Sequence, residues 1–190
     1  MQLNRIILSR MKSASKIILP FILALLLGTT SCQKASLKDQ TLQLANVTEN
    51  KVQVNITLSN SKNGQVLLSA TFTPQNPGAH LYSKEIPRDG VEGLGRPTLL
   101  ELANNSALKA NGELIESVAS EPPPFEPKEL LVYPVGPVTL SQPVLLPEGN
   151  NWTNDVVLVT YMACDEQGCR APVQQKPIII KIPGKQLFQS

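Results

Sequence analysis

The chain reads as an all-β protein, an antiparallel sandwich, on three observations. Sixteen prolines are scattered through 190 residues, and proline breaks helix interiors because it lacks an N–H and clashes with the preceding turn. Short runs rich in Val, Ile, Leu and Thr recur between turn-forming residues, several of them alternating with period 2. Aromatic residues make up only 4% of the chain, so the core has to be built from Val, Ile and Leu, and the β-branched members of that set suit strands.

The strands follow in order. Residues 42–47 form a first one. Residues 51–59 alternate cleanly, with Val52, Val54, Ile56 and Leu58 on one face and Gln53, Asn55 and Thr57 on the other. Residues 61–64 supply turn chemistry, and 65–73 return as the second arm of that hairpin. A loop at 74–78 leads into 80–85. Residues 98–102 are a short strand, 107–117 a strand pair around Asn111-Gly112, and 130–133 and 138–146 two more. The one stretch where a helical period competes is 99–110. Six to nine short strands without helical alternation predict an immunoglobulin-like antiparallel β-sandwich.

Four basic residues, Arg5, Arg10, Lys12 and Lys16, precede an apolar run at 17–27 and the string Gly28-Thr29-Thr30-Ser31-Cys32. The run is short for a bilayer span and ends in small residues, so 1–31 reads as an export signal. Cysteine directly after small residues resembles a bacterial lipobox, with Thr29 where leucine is usual. Lipidation of Cys32 is expected, against plain secretion with Cys32 as a spare thiol. Residues 32–41 are polar enough for a tether, 42–183 make one domain of ordinary size, and 184–190 a tail. The chain carries 17 basic and 15 acidic residues; all four charges in the signal are basic, so the mature part is slightly acidic. That balance, with no basic stripe interleaved with aromatics, excludes a nucleic-acid partner.

Residues 156–182 carry the chemistry. Two apolar strands, 156–163 and 178–182, flank the turn residues Asp165, Gln167 and Gly168 and predict a hairpin. With Cys164 and Cys169 either side of a four-residue loop, their Cα atoms face each other at about 4.5–5.5 Å, within the about 4.4–6.8 Å that a disulfide spans. As a staple the bond is weak, since closing so short a loop contributes only about 2 kcal/mol of chain entropy. Strained, exposed disulfides are the ones that exchange with other thiols. Staple and reagent both stay open on residue type alone. Asp165 and Glu166 raise the pKa of a neighbouring thiol and Arg170 lowers it, which disfavours a strongly acidic oxidant and fits a dithiol that waits for a partner.

Beyond the cysteines, the string Val159-Thr160-Tyr161, Cys164, Gly168, Cys169, Pro172, the upstream Gly78-Ala79-His80-Leu81-Tyr82-Ser83 and the segment Gly95-Arg96-Pro97-Thr98 together resemble the N-terminal periplasmic domain of DsbD-type thiol:disulfide interchange proteins. Order and spacing agree over about 44–183. The resemblance implies an immunoglobulin-like fold and a redox pair at Cys164 and Cys169, with Cys169 as the thiol that attacks the client. It also implies a cap loop bearing an aromatic residue over the disulfide. The proline-rich stretch 121–127, otherwise an extended surface linker, supplies Phe125 for that cap. His80, Tyr82 and Tyr161 are candidates for capping or tuning the pair.

The partners implied are a thioredoxin-like or membrane-embedded electron donor, an oxidised client protein of the cell envelope, and a lipid bilayer under the N-terminal anchor on its periplasmic face. The chain ends at Ser190 without the further domains of such proteins, so the donor is expected in trans. The loop 165–168 is one residue shorter than is usual there, and no aromatic residue precedes Cys169. His80 is the single histidine, too few ligands for a zinc site, and neither a metal nor a cofactor is expected. The competing expectation is a non-enzymatic binding or structural lipoprotein in which the disulfide only closes a turn.

Overall fold

The computed structural model describes residues 41–189. The export signal at 1–31, the lipidation at Cys32 and all but the last residue of the tether lie outside the described residues. Twelve strands and one short helix follow in order. They are β1 (Leu42–Glu49), β2 (Val52–Asn60), β3 (Val66–Pro74), β4 (His80–Leu81), β5 (Leu99–Leu102), β6 (Lys109–Ala110), β7 (Ile115–Glu116), β8 (Val138–Leu145), β9 (Trp152–Tyr161), β10 (Ala163–Asp165), β11 (Gly168–Cys169), β12 (Val173–Pro183) and α1 (Lys185–Gln189). All the ladders are antiparallel, and the fold is the expected immunoglobulin-like sandwich. No helix among the described residues is long and apolar enough to cross a membrane.

One sheet runs β1-β2-β3-β8, with β6 and β7 both on the free edge of β8; a second runs β12-β9-β5. Their inner faces make one core. Val52, Val54, Ile56 and Leu58 of β2 are fully buried, as the period of the sequence requires, and meet Phe72 of β3, Val157 and Val159 of β9 and Ile178, Ile180 and Ile182 of β12. The edge-to-face pair of Phe72 and Tyr161, centroids 5.6 Å apart, closes that core at the end where β1 finishes.

Several boundaries differ from the sequence expectation, each for a local reason. Two strands do form within 107–117, but not as a pair around Asn111-Gly112: β6 and β7 each pair with β8 and not with each other. Pro143 of β8 has no N–H to donate, so the ladder breaks there, and Gly112 lies over the proline ring, where a Cβ would stand 3.3 Å from Pro143 Cγ. The helical alternative at 99–110 is absent. The strand expected at 80–85 stops at Leu81, because Tyr82 instead makes single bridges to Pro97 and Val132. Residues 130–133 likewise form no strand: Val132 makes single bridges to Tyr82 and Glu121, and the Tyr133 N–H donates to the Leu81 carbonyl at 2.8 Å. Residues 184–190, read as a tail, include α1, whose Phe188 is fully buried in the main core; burying such a ring contributes about 1.5–3 kcal/mol.

A satellite core lies beyond the main one. Tyr82, Ile86, Leu130 and Cys164 are buried together, with Val91, Leu131, Val132 and Met162 packed around them. The small sheet β11-β10-β4 carries the cysteines over this cluster.

Candidate functional site

The cysteine turn is tighter than its sequence suggests. Cys164 pairs with Cys169 and Asp165 with Gly168, leaving only Glu166 and Gln167 as the loop. Asp165 Oδ1 accepts the Gln167 N–H at 2.9 Å, an Asx turn, and Gly168 takes φ +120°, a conformation glycine adopts without penalty. The Arg170 N–H donates to the Ala163 carbonyl at 2.9 Å and completes the hairpin. Within it Cys164 and Cys169 are disulfide-bonded, Cα atoms 4.0 Å apart. The two sulfur-bearing residues are unequal: Cys164 is buried and Cys169 exposed.

Asp165 and Arg170 turn toward each other, not toward the sulfurs. The Asp165 carboxylate accepts from Asn76 Nδ2 at 2.7 Å and from Arg170 Nη2 at 3.1 Å. Those donors, Asn76 first, hold its pKa below the ordinary carboxylate value. The opposing charges expected to act on Cys169 therefore largely neutralise one another. Asn76 had no distinguishing mark in the sequence; it sits in the loop before β4 that only the fold brings over the turn.

Tyr82 is the side chain that reaches the bond. Its hydroxyl oxygen lies 2.9 Å from Cys164 Sγ and 3.7 Å from Cys169 Sγ. Burial raises the phenol pKa, so the hydroxyl keeps its proton, and a disulfide sulfur has none to give. Tyr82 is the donor. The residues 95–98 serve to hold it. Thr98 donates its N–H and its hydroxyl to the Tyr82 carbonyl at 3.1 and 2.7 Å. Gly95, at φ +71°, leaves room for the ring: a Cβ there would stand 3.1 Å from Tyr82 Cδ1 and 2.8 Å from Leu130 Cδ1. Two segments far apart in sequence thus converge on one phenol.

His80 lies on β4 directly across from Cys164 of β10. Its ring packs edge-on against Tyr82, centroids 5.5 Å apart, and against Phe125 at 6.2 Å. Burial lowers its pKa, with the Asp165 charge opposing. Phe125, 40% exposed, thus stands at the outer side of the His80–Tyr82 pair. Tyr161 is turned the other way: its ring meets Phe72 in the main core and its hydroxyl donates to the Glu49 carbonyl at 3.3 Å. The structure brings Tyr82 and His80 up to the cysteines, sets Phe125 against His80, and leaves Tyr161 in the sandwich. No cluster of three or more His, Cys, Asp or Glu able to hold a metal occurs among the described residues.

Among solved structures, the chain is similar to the reduced form of the DsbD N-terminal domain of Neisseria meningitidis. The TM-score is 0.38 and the sequence identity 15%, over 77% of this chain and 86% of that one. No protein-family profile and no curated sequence matches the chain.

Chemically, the two halves of the bond differ: Cys169 is an exposed residue, whereas Cys164 is buried beside the Tyr82 hydroxyl. A negative charge developing on Cys164 meets the Tyr82 O–H already in place, and hydrogen bonds to charged acceptors contribute about 1.5–3 kcal/mol.

Proposed function

We propose that the chain is a thiol:disulfide interchange module of the cell envelope, working through Cys164 and Cys169. The observation that carries this reading is the asymmetry of the pair, Cys169 exposed and Cys164 buried against the Tyr82 hydroxyl. A bond that served only to close a turn would need no donor poised on one sulfur.

In the reducing half-cycle a donor thiolate attacks Cys169 Sγ. The Cys164–Cys169 bond breaks, Cys164 leaves with the electron pair, and a donor–Cys169 mixed disulfide forms. The donor's second thiolate then attacks its own sulfur in that bond and releases Cys169, so the donor ends oxidised and the pair reduced. In the second half-cycle the Cys169 thiolate attacks a client disulfide, forming a mixed disulfide and expelling one client thiolate. Cys164 then attacks Cys169 Sγ, which restores the disulfide and releases the client's other thiolate. Phe125 covers the approach until a partner displaces it.

The donor is a thioredoxin-like or membrane-embedded dithiol, and the acceptor an oxidised envelope protein.

The test is the reduction potential of Cys164–Cys169, measured by equilibration with glutathione or dithiothreitol buffers and trapping of free thiols. The expected result is a value above about −270 mV with exchange against a thioredoxin-like dithiol in seconds to minutes. A value below about −300 mV with slow reduction identifies a structural staple in a non-enzymatic lipoprotein, and the redox reading is then abandoned.

A further inference from the structure

Cys169, Cys164 and His80 form one row across three strands. The register places Cys169 opposite Cys164 on one side and His80 opposite Cys164 on the other. Directly opposed residues share a face of the sheet with Cβ atoms about 4.5–5.5 Å apart. The sulfur that leaves and returns during exchange is therefore flanked by its disulfide partner and by an imidazole. His80 Nε2 is buried and has no hydrogen-bond partner in the oxidised structure, although buried polar atoms are ordinarily paired.

We propose that His80 is the proton acceptor for Cys164: its Nε2 takes the Cys164 thiol proton as that sulfur attacks Cys169 in the mixed disulfide. The proposal rests on the exchange reading above and assigns a separate step within it. The Cys164 electron pair forms the new S–S bond, the bond from Cys169 to the client breaks, and the client sulfur leaves with that electron pair. The proton goes to Nε2 and from there to solvent; the thiolate released takes its own from solvent. In the opposite direction the imidazolium returns a proton to Cys164 as it leaves Cys169. The unpaired nitrogen of the oxidised form is then the base whose proton has been given up.

The surroundings suit a base that is neutral when needed. Burial disfavours the imidazolium. Facing the ring are Tyr82, just past the end of β4, Cys164 and Asp165 on β10 with Cys169 beyond, and the uncharged ring of Phe125, with Glu126 next in sequence. Asp165 is the one fixed charge identified as acting on His80, and Asn76 and Arg170 engage it. Its field favours the imidazolium once Cys164 gives up a proton.

The test is a stopped-flow reaction of the reduced chain, carrying Cys32→Ser to remove the third thiol, with an aromatic disulfide reagent that releases a coloured thiolate. A first phase reports attack by Cys169, and a second reports Cys164 displacing the remaining label. In the parent the second phase is expected to stay flat from neutral pH upward. In His80→Gln it is expected to fall about a hundredfold at neutral pH and to rise with pH toward the thiol pKa of about 8.5, the first phase being unchanged. An unchanged second phase, or equal slowing of both phases, overturns the proposal. Because His80 is the single histidine, its NMR titration gives a second reading that needs no His80 variant. The imidazole pKa should differ between the oxidised and reduced forms, and in Cys164→Ser, which has neither the thiol nor the bond, it should lie nearer the oxidised value; one common pKa in all three overturns the proposal. A low reduction potential would end the physiological reading without altering either of these outcomes.

Discussion

The hydroxyl of Tyr82 lies 2.9 Å from the sulfur of Cys164, and it is positioned by a segment that neither residue touches in sequence. Removing that hydroxyl while keeping the ring isolates its effect. Tyr82→Phe is expected to slow reduction of the disulfide by about ten- to a hundredfold, since the lost bond is one to a developing thiolate worth about 1.5–3 kcal/mol. Stability should fall by only about 0.5–1.5 kcal/mol. Rates of reduction by dithiothreitol, compared with urea midpoints, separate the two; a rate equal to the parent's would show that the hydroxyl does not serve the leaving sulfur.

Gly95 makes room for that ring. Gly95→Ala puts a Cβ against Leu130 and Tyr82, and overpacking of this kind costs about 1–3 kcal/mol. Gly64 is the control: it has a similar φ of +80° but open space where a Cβ would go. Gly64→Ala therefore carries the backbone strain without the clash. Chemical denaturation should find Gly95→Ala the less stable of the two, and only that variant should also slow disulfide exchange, by shifting Tyr82. Equal losses in both variants would mean that backbone strain alone fixes the glycine.

The sandwich was legible because β2 and β3 bury one face against water and their alternation writes that burial into the sequence. The candidate site residues, the cysteines, His80, Tyr82 and Phe125, also stand out in the sequence by residue type. What could not be read is how they meet. Single bridges hold Tyr82 to Pro97 and Val132, and such contacts leave no period. The break at Pro143 that sends β6 and β7 to one strand depends on which edge they find. Phe188 looked like part of a tail because one aromatic residue near a terminus carries no pattern, although the core takes it in. The Asp165–Arg170–Asn76 group spans 89 residues from Asn76 to Asp165, and only the fold joins it.

Phe125 is the proposed cap of the pair and holds little of the fold. It is 40% exposed and its ring contact is with His80. In Phe125→Ala the rate of reduction by a small dithiol is expected to rise roughly three- to tenfold, while stability changes by less than about 1 kcal/mol. Timed thiol trapping measures the rate and thermal unfolding the stability. A rate that does not rise would place Phe125 outside the path to the sulfurs.

Asp165 links the cysteine turn to acid stability. Its pKa is depressed in the fold, by Asn76 first and then by the Gln167 N–H and Arg170. A carboxylate with a lowered folded pKa contributes stability that is present above its unfolded value, about 4. That contribution is lost as the pH falls through the lower folded value. Glu148, paired with Lys185 and Gln186 at the opposite end of the sandwich, is depressed as well, so the parent chain loses stability from both on acidification. Asp165→Asn keeps an oxygen for the Gln167 N–H but has no proton to gain in this window. Urea midpoints taken from about pH 6 down to about pH 2 should fall less steeply in Asp165→Asn than in the parent. At neutral pH the variant should be the less stable, because the charge on Arg170 is no longer matched. Parallel curves for the two proteins would mean that the Asp165 carboxylate does not contribute to holding the turn.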